Sequence, residues 1–260
     1  MRKTPTCFLL LSGSLLLAGC ASQQPTENGY ERFMRLAADV EKRGDPTTAK
    51  ALYERATLQP GAGTDAWLKL GQTRLDTNDP RGAERAFLRA LELVPQNPQA
   101  MLGLGTAQLR EGKIDRAITA LTQAAKVTGQ ASAYNRLGIA RILQGQADAA
   151  QAAFKQSLSI TPDDLDTQCN LALAYVLGGQ TQQALAYIHS VGQSPRAQPR
   201  HQRNELLVLV LAGHEQDALA LPLDEVSPAE RQQLLAEARR IKAIGDPSVQ
   251  AHELGMADSH

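Results

Sequence analysis

A repeat of about 34 residues is the feature that most constrains what this chain can fold into. Small residues recur in steps of 34, 34, 33, 34 and 34, at Ala49, Ala83, Ala117, Ala150, Ala184 and Ala218. Glycine or asparagine recurs in the same register, at Gly44, Asn78, Gly112, Gly145, Gly179 and Gly213. A unit of this length cannot bury its own apolar face, so neighbouring units must stack. The period therefore predicts a solenoid.

Each unit has the pattern of two helices joined by a turn. In the second unit Trp67, Leu70 and Gly71 share one helix face, and Ala83 and Phe87 share another. The recurring glycines are expected to end the first helices, because glycine tolerates the left-handed conformation of a C-cap. The pattern resembles the tetratricopeptide repeat (TPR). The resemblance implies an all-α, right-handed TPR superhelical solenoid with about five to six helix–turn–helix repeats and a C-terminal capping helix.

The sequence around the repeats predicts five segments. Ser227 followed by Pro228 and Glu230 is the pattern of a helix start, which we interpret as the beginning of the capping helix. The predicted segments are a lipoprotein signal peptide (1–19), a lipidated N-terminus with a flexible tether (20–29), the solenoid (30–226), the capping helix (227–245) and a disordered tail (246–260).

The first twenty residues predict a lipid anchor. Arg2 and Lys3 precede a short apolar stretch, residues 8–17, which is too short to cross a membrane and is typical of a signal peptide. It ends in Leu-Ala-Gly before Cys20, which resembles the bacterial lipobox. The resemblance implies an S-diacylglycerol and an N-acyl group on Cys20. An ordinary secretory signal with a chance cysteine is the alternative. Ala21, where aspartate would retain the protein in the inner membrane, implies the outer membrane, facing the periplasm.

The rest of the composition points to no enzyme, cofactor or nucleic acid. The chain carries 27 basic and 27 acidic residues, so no charge excess favours nucleic acid or an anionic surface. None of the five histidines pairs with another ligand at metal-binding spacing, and no nucleophile motif occurs. Cys169 is interpreted as a small packing residue rather than a reactive thiol. We therefore predict no catalytic residues, no metal and no small-molecule substrate.

A partner is expected to bind the concave surface. The family resemblance implies that the second, fifth, ninth, twelfth and thirteenth residues of each repeat face a groove, which gives Gln99, Leu102, Thr106, Leu109 and Arg110 in the third. The groove becomes apolar toward its C-terminal half, and an apolar strip there is typical of a site for an amphipathic helix. The predicted contact residues are Leu102, Leu109, Asn135, Ile139, Ile142, Leu143, Leu173, Val176 and Leu177. The alternative is that the C-terminal helix or the sixth repeat covers this surface.

Two similar segments, 170–180 and 204–213, followed by Leu221-Pro222, suggest a narrower family. Together with the lipobox and the repeat number they resemble the TadD-like TPR lipoproteins of the tight-adherence (Flp) pilus assembly machinery. That resemblance implies a pilotin, which would escort an outer-membrane secretin and aid its assembly. A scaffold or pilotin for another envelope machine, such as the type IV pilus or outer-membrane protein assembly, is the alternative.

Overall fold

The structure is a computed structural model that describes residues 28–223 and 226–255. Within those ranges it contains fourteen α-helices and no strand. The helices are α1 Gly29–Lys42, α2 Pro46–Thr57, α3 Thr64–Asp76, α4 Pro80–Leu93, α5 Pro98–Arg110, α6 Ile114–Thr128, α7 Ala131–Leu143, α8 Ala147–Ile160, α9 Leu165–Leu177, α10 Thr181–Gly192, α11 Pro199–Leu211, α12 Glu215–Ala220, α13 Pro228–Lys242 and α14 Pro247–Glu253. The predicted signal peptide, Cys20 and most of the predicted tether lie outside the described residues.

The helices form a solenoid of pairs. Helices α1 to α12 make six consecutive pairs, and from α1 to α12 each helix packs on the next one along the chain. The first helices of neighbouring pairs also touch, as α3 does α5, α5 does α7 and α7 does α9. They therefore line one face of the stack. The predicted all-α solenoid is confirmed.

The turn within each pair has the predicted left-handed residue. The φ angles are +81° at Gly44, +55° at Asn78, +70° at Gly112, +78° at Gly145, +75° at Gly179 and +89° at Gly213. Side chains other than that of asparagine are costly in this region. The recurring glycine or asparagine is therefore required by the backbone at the end of each first helix.

Other glycines are required by close packing between helices. A Cβ atom on Gly71 would lie 2.7 Å from the ring of Phe87, and one on Gly103 would lie 2.3 Å from the same ring. A Cβ atom on Gly138 would lie 2.5 Å from Phe154, whose side chain is completely buried. Each bulky residue of a second helix thus fills space that a small residue of a first helix leaves open.

The sixth pair is short and a further helix covers it. Helix α12 has only six residues and ends before Pro222, as the sequence predicts. Helix α13 packs on α11, and Leu235 and Ala238 join an apolar cluster with Leu206 and Val210. The helix thus lies where a further repeat would stack.

The prediction of a disordered tail from residue 246 onward is wrong for Pro247–Glu253, which forms α14. The Asp246 side chain accepts hydrogen bonds from the backbone N–H groups of Ser248 (2.8 Å) and Val249 (3.3 Å), and Pro247 follows as the first helical residue. An N-cap followed by proline stabilises a helix start. Tertiary packing further stabilises this short helix, because α14 folds back onto α7 and α9.

Candidate partner-binding groove

The N-terminal half of the concave face is open. A cavity of about 710 Å³ lies among α1, α3, α5 and α7. Ten residues that the repeat register places in the groove line it: Met34, Asp65, Leu68, Gln72, Leu75, Asp76, Gln99, Leu102, Thr106 and Arg110. The other lining residues are Lys69, Phe87, Gly103, Gln130 and Arg136. The open groove therefore combines apolar side chains with charges of both signs.

The C-terminal half of the concave face is covered. Helix α14 packs on α7 and α9, and its Ala251 and Leu254 belong to the same apolar cluster as most of the predicted contact residues. Leu109, Ile139, Ile142, Leu143, Leu173 and Leu177 are at most 8% exposed, whereas Leu102 and Val176 are half-buried. The structure thus brings the predicted residues together, but as part of the core and beneath a segment of the same chain.

Polar contacts tie α14 to α13. The Gln250 side-chain amide donates to the carbonyl oxygens of Ile244 (2.7 Å) and Ile241 (3.1 Å), which end α13. Arg240 of α13 pairs with Glu253 of α14. Ala251 is completely buried while its neighbour His252 is exposed, so α14 presents one apolar face to the groove.

Asn135, a predicted contact residue, is used for packing between repeats. Its side-chain oxygen accepts a hydrogen bond from the Asn170 amide of the next first helix, at 3.1 Å. Both side chains are buried. A buried amide pair is costly to break because each partner would lose its hydrogen bond without gaining water. This pair fixes the register of α7 against α9.

Two arginines lie at the C-terminal end of the open cavity. Arg110 Nη1 donates to the carbonyl oxygen of Leu75 at 2.9 Å. Arg136 is half-buried, and its Nε has no hydrogen-bond partner. Burial, and secondarily the charge of Arg110, lower the pKa of Arg136 below its ordinary value. The open groove therefore carries positive charge in a poorly solvated place.

Asp166 organises a polar cluster at the start of α9. It accepts from Arg200 Nε (2.9 Å) and Nη2 (3.0 Å), and these bonds hold its pKa below the ordinary value. The backbone N–H of Gln198 donates to His201 Nδ1 at 2.9 Å, so the neutral ring carries its proton on Nε2, which donates to Asp166. The cluster links the fifth and sixth repeats.

Cys169 is a packing residue. It is completely buried, and burial raises the pKa of its thiol to about 12. A thiol that is neither exposed nor ionised is a poor nucleophile. Within residues 28–223 and 226–255, no group of three or more histidine, cysteine, aspartate or glutamate residues is arranged to hold a metal ion.

Two family models match consecutive parts of the chain. The middle TPR-like domain of cilia and flagella-associated protein 70 matches residues 33–140, and the tetratricopeptide repeat matches residues 141–203. The chain is a tetratricopeptide-repeat protein. The matched residues, 33–203, include all residues that line the open cavity and all nine predicted contact residues.

Curated relatives match this chain over a small part of their own length. Cellulose synthase operon protein C of Pseudomonas fluorescens (strain SBW25) is 28% identical over 195 residues, which is 70% of this chain and 15% of that protein. The CTR9 homolog of Arabidopsis thaliana is 27% identical over 135 residues, which is 51% of this chain and 12% of that protein. The chain thus spans less than a sixth of the length of the curated relatives it matches.

Solved TPR structures have the same fold. PilW, described as a widely conserved type IV pilus biogenesis factor, superposes with a TM-score of 0.66 at 21% identity over 74% of this chain and 90% of PilW. PilF of Pseudomonas aeruginosa superposes with a TM-score of 0.64 at 17% identity over 80% of this chain and 97% of PilF. At these identities the likeness establishes the TPR fold.

Two features of this TPR protein were missed from its sequence. Asp246-Pro247 has the same cap-and-proline pattern as Ser227-Pro228, and it could have indicated α14. Arg136 lies at the sixth position of its repeat, outside the five groove positions, and no sequence signal indicated its place in the cavity. In the described part of the chain, no helix is both long and apolar enough to cross a membrane.

Proposed function

We propose that this protein is a non-enzymatic assembly factor of a pilus machine. It binds a secretin subunit with its concave TPR surface and is held at the periplasmic face of the outer membrane by a lipid on Cys20, in the manner of a pilotin. Stacked TPR helices supply an extended concave surface of the kind that repeat proteins use to bind other proteins.

The observation that carries the proposal is the helix already seated on the concave face. Helix α14 buries Ala251 and contributes Leu254 to the cluster on α7 and α9. A surface that accepts a short amphipathic helix of its own chain has the shape and apolarity to accept one from a partner. The open half next to it offers a cavity of about 710 Å³ into which a longer segment extends.

Two further facts support the cellular setting. The lipobox pattern before Cys20 supports a lipid anchor at a membrane surface, and an anchored groove would raise the local concentration of a captured subunit without new contacts. PilW, whose TPR fold this chain shares, is described as a type IV pilus biogenesis factor. The secretin of the tight-adherence (Flp) pilus is our first candidate partner, on the resemblance of residues 170–213. The type IV pilus and outer-membrane protein assembly are the alternatives, and the PilW fold favours the former.

Secretin assembly in cells tests the proposal. The gene is deleted in a strain whose Flp and type IV secretins carry different epitope tags, and heat-resistant multimers are measured in separated inner and outer membranes. Loss of outer-membrane multimers of one secretin identifies the machine. Unchanged multimers of both secretins contradict the proposal.

The anchor is tested in the same strain by complementation. Cys20→Ser is expected to fail to restore multimers at the outer membrane, and mass spectrometry of the wild-type chain is expected to find acyl groups on Cys20. Cys169→Ala is the matched control, because it removes the other mature cysteine from a buried place where alanine fits. If Cys20→Ser restores assembly fully, the lipid has no part in the function.

A further inference from the structure

Arg136 has no partner in the described part of the chain. Its Nε is enclosed and makes no hydrogen bond, and the guanidinium forms no ion pair within residues 28–223 and 226–255. Two carboxylates line the same cavity, but neither Asp65 nor Asp76 pairs with Arg136, and Asp76 accepts instead from Gln72 at 2.9 Å. The charge that acts on its pKa is a like one, on Arg110.

An arrangement of this kind is unfavourable in the isolated protein. Arginine remains protonated at every pH that a protein survives, so Arg136 cannot relieve its burial by losing a proton. A half-enclosed cation beside a second cation is stabilised only when an anion arrives. The geometry therefore has an energetic deficit that a ligand of opposite charge would remove.

From this deficit we infer that the open half of the groove binds the carboxylate of an acidic segment of the partner protein. Arg136 is the main residue that binds the carboxylate, and Arg110 supplies a second positive charge in the same cavity. The planar guanidinium matches a carboxylate with two parallel hydrogen bonds. The inference rests on the proposed function for the existence of a partner, and it names the chemistry by which the partner is recognised.

The remaining cavity lining defines the rest of the segment. Met34, Leu68, Leu75 and Leu102 offer apolar contacts in the same cavity as the two arginines. A segment in which acidic residues alternate with leucine or alanine at helical spacing satisfies both kinds of lining. A basic segment would meet like charge at Arg136, which selects against it.

Binding of synthetic peptides to the purified chain tests the inference. The probe is a fluorescein-labelled, amidated twelve-residue peptide built from repeats of Glu, Ala and Leu, and its counterpart has Gln in place of every Glu. Fluorescence anisotropy is expected to give a dissociation constant at least tenfold lower for the Glu peptide. A third peptide keeps Gln but ends in a free carboxylate, and it distinguishes a C-terminal carboxylate from side-chain carboxylates.

Matched variants separate this site from general attraction between charges. Arg136→Gln is expected to weaken binding of the Glu peptide at least tenfold, and Arg136→Lys to retain part of it. Arg116→Gln removes the same charge from an exposed position on α6 and is expected to leave binding unchanged. Equal affinity for the Glu and Gln peptides, or an equal loss with Arg116→Gln, overturns the inference.

Thermal stability gives an independent readout. Because Arg136 is unpaired, Arg136→Gln is expected to keep or raise the melting temperature of the free protein and to abolish the rise that the Glu peptide causes in the wild type. A large fall in melting temperature for both Arg136→Gln and Arg136→Lys would show a structural guanidinium and contradict the inference. If the Glu peptide binds as expected but deletion of the gene leaves secretin assembly unchanged, the proposed function alone is overturned.

Discussion

Replacing Ala251 by arginine should release α14 and leave the solenoid folded. Ala251 is completely buried against the cluster on α7 and α9, so an arginine there must either be forced into a packed site or leave it. Overpacking alone costs about 1–3 kcal/mol, and a buried unpaired charge costs several more. Undocking loses the burial of one methyl group and of the half-buried Leu254, and it exposes the facing apolar surface of α7 and α9, which together cost about 4 kcal/mol. Undocking is therefore the less costly response.

The magnitude sets what the experiment should show. A loss of about 4 kcal/mol corresponds to a fall in melting temperature of about 8–16 °C in a chain of this size. Helical content by circular dichroism should stay close to that of the wild type. Fluorescence of the dye ANS should rise, because the apolar surface of α7 and α9 becomes accessible. Hydrogen exchange should become fast over residues 247–253 while the amides of α7 stay protected.

His252→Arg is the control for this experiment. It adds the same side chain one residue later on an exposed position of α14, so it should change neither dye binding nor exchange. Unchanged dye binding and exchange in Ala251→Arg would show that α14 does not hold this position in solution. A fall in melting temperature far above about 16 °C would show instead that the solenoid depends on α14, and either result would refute the reasoning.

Three further substitutions test the packing and the buried charges. Gly138→Ala should lower the free energy of unfolding by about 1 kcal/mol, because the clash of its Cβ with Phe154 at 2.5 Å outweighs the gain in helix propensity. In a chain that already carries Phe154→Leu, denaturant unfolding should show no further loss from Gly138→Ala. Burial raises the pKa of Glu205, so its folded form binds protons more tightly and stability falls as pH rises. Glu205→Gln should therefore raise the melting temperature at pH 7, and the gain should shrink in acid. Arg200 lowers the pKa of Asp166, so Asp166→Asn should lower the free energy of unfolding by about 1 kcal/mol at pH 7, after allowance for solvent screening. The difference in stability from wild type should vanish as pH falls below the folded pKa of Asp166.

The repeat made most of the fold predictable from the sequence. A residue with φ near +80°, such as Gly44, and a small residue against an aromatic ring, such as Gly71 against Phe87, recur because every unit solves the same local problem. Local geometry of that kind is visible in spacing alone. The solenoid, its turns and the short α12 before Pro222 followed from it.

The functional surface was less predictable because it depends on contacts distant in the sequence. The spacing placed Leu143 and Leu177 on the concave side and left open that the C-terminal helix or the sixth repeat covers that side, but it did not indicate that the covering segment is α14, beyond the predicted capping helix. The same contacts also determine what a substitution at these positions would test. Aspartate at Leu143 or Leu177 would be introduced into a core in which these side chains are 3% and 8% exposed, so it would test the fold rather than the partner site.

Under the proposed function, the two halves of the groove act at different steps in capturing a partner. The open half carries the charge of Arg136 and is accessible from the start, and electrostatic attraction acts before close contact. The apolar half becomes available only when α14 leaves it, so any ligand that binds there must offset the loss of the α14 contacts. An acidic, amphipathic segment satisfies both conditions in turn, because its charge is recognised first and its apolar face then competes with Ala251 and Leu254. A segment with only one of these properties would bind weakly at one half and would leave α14 in place.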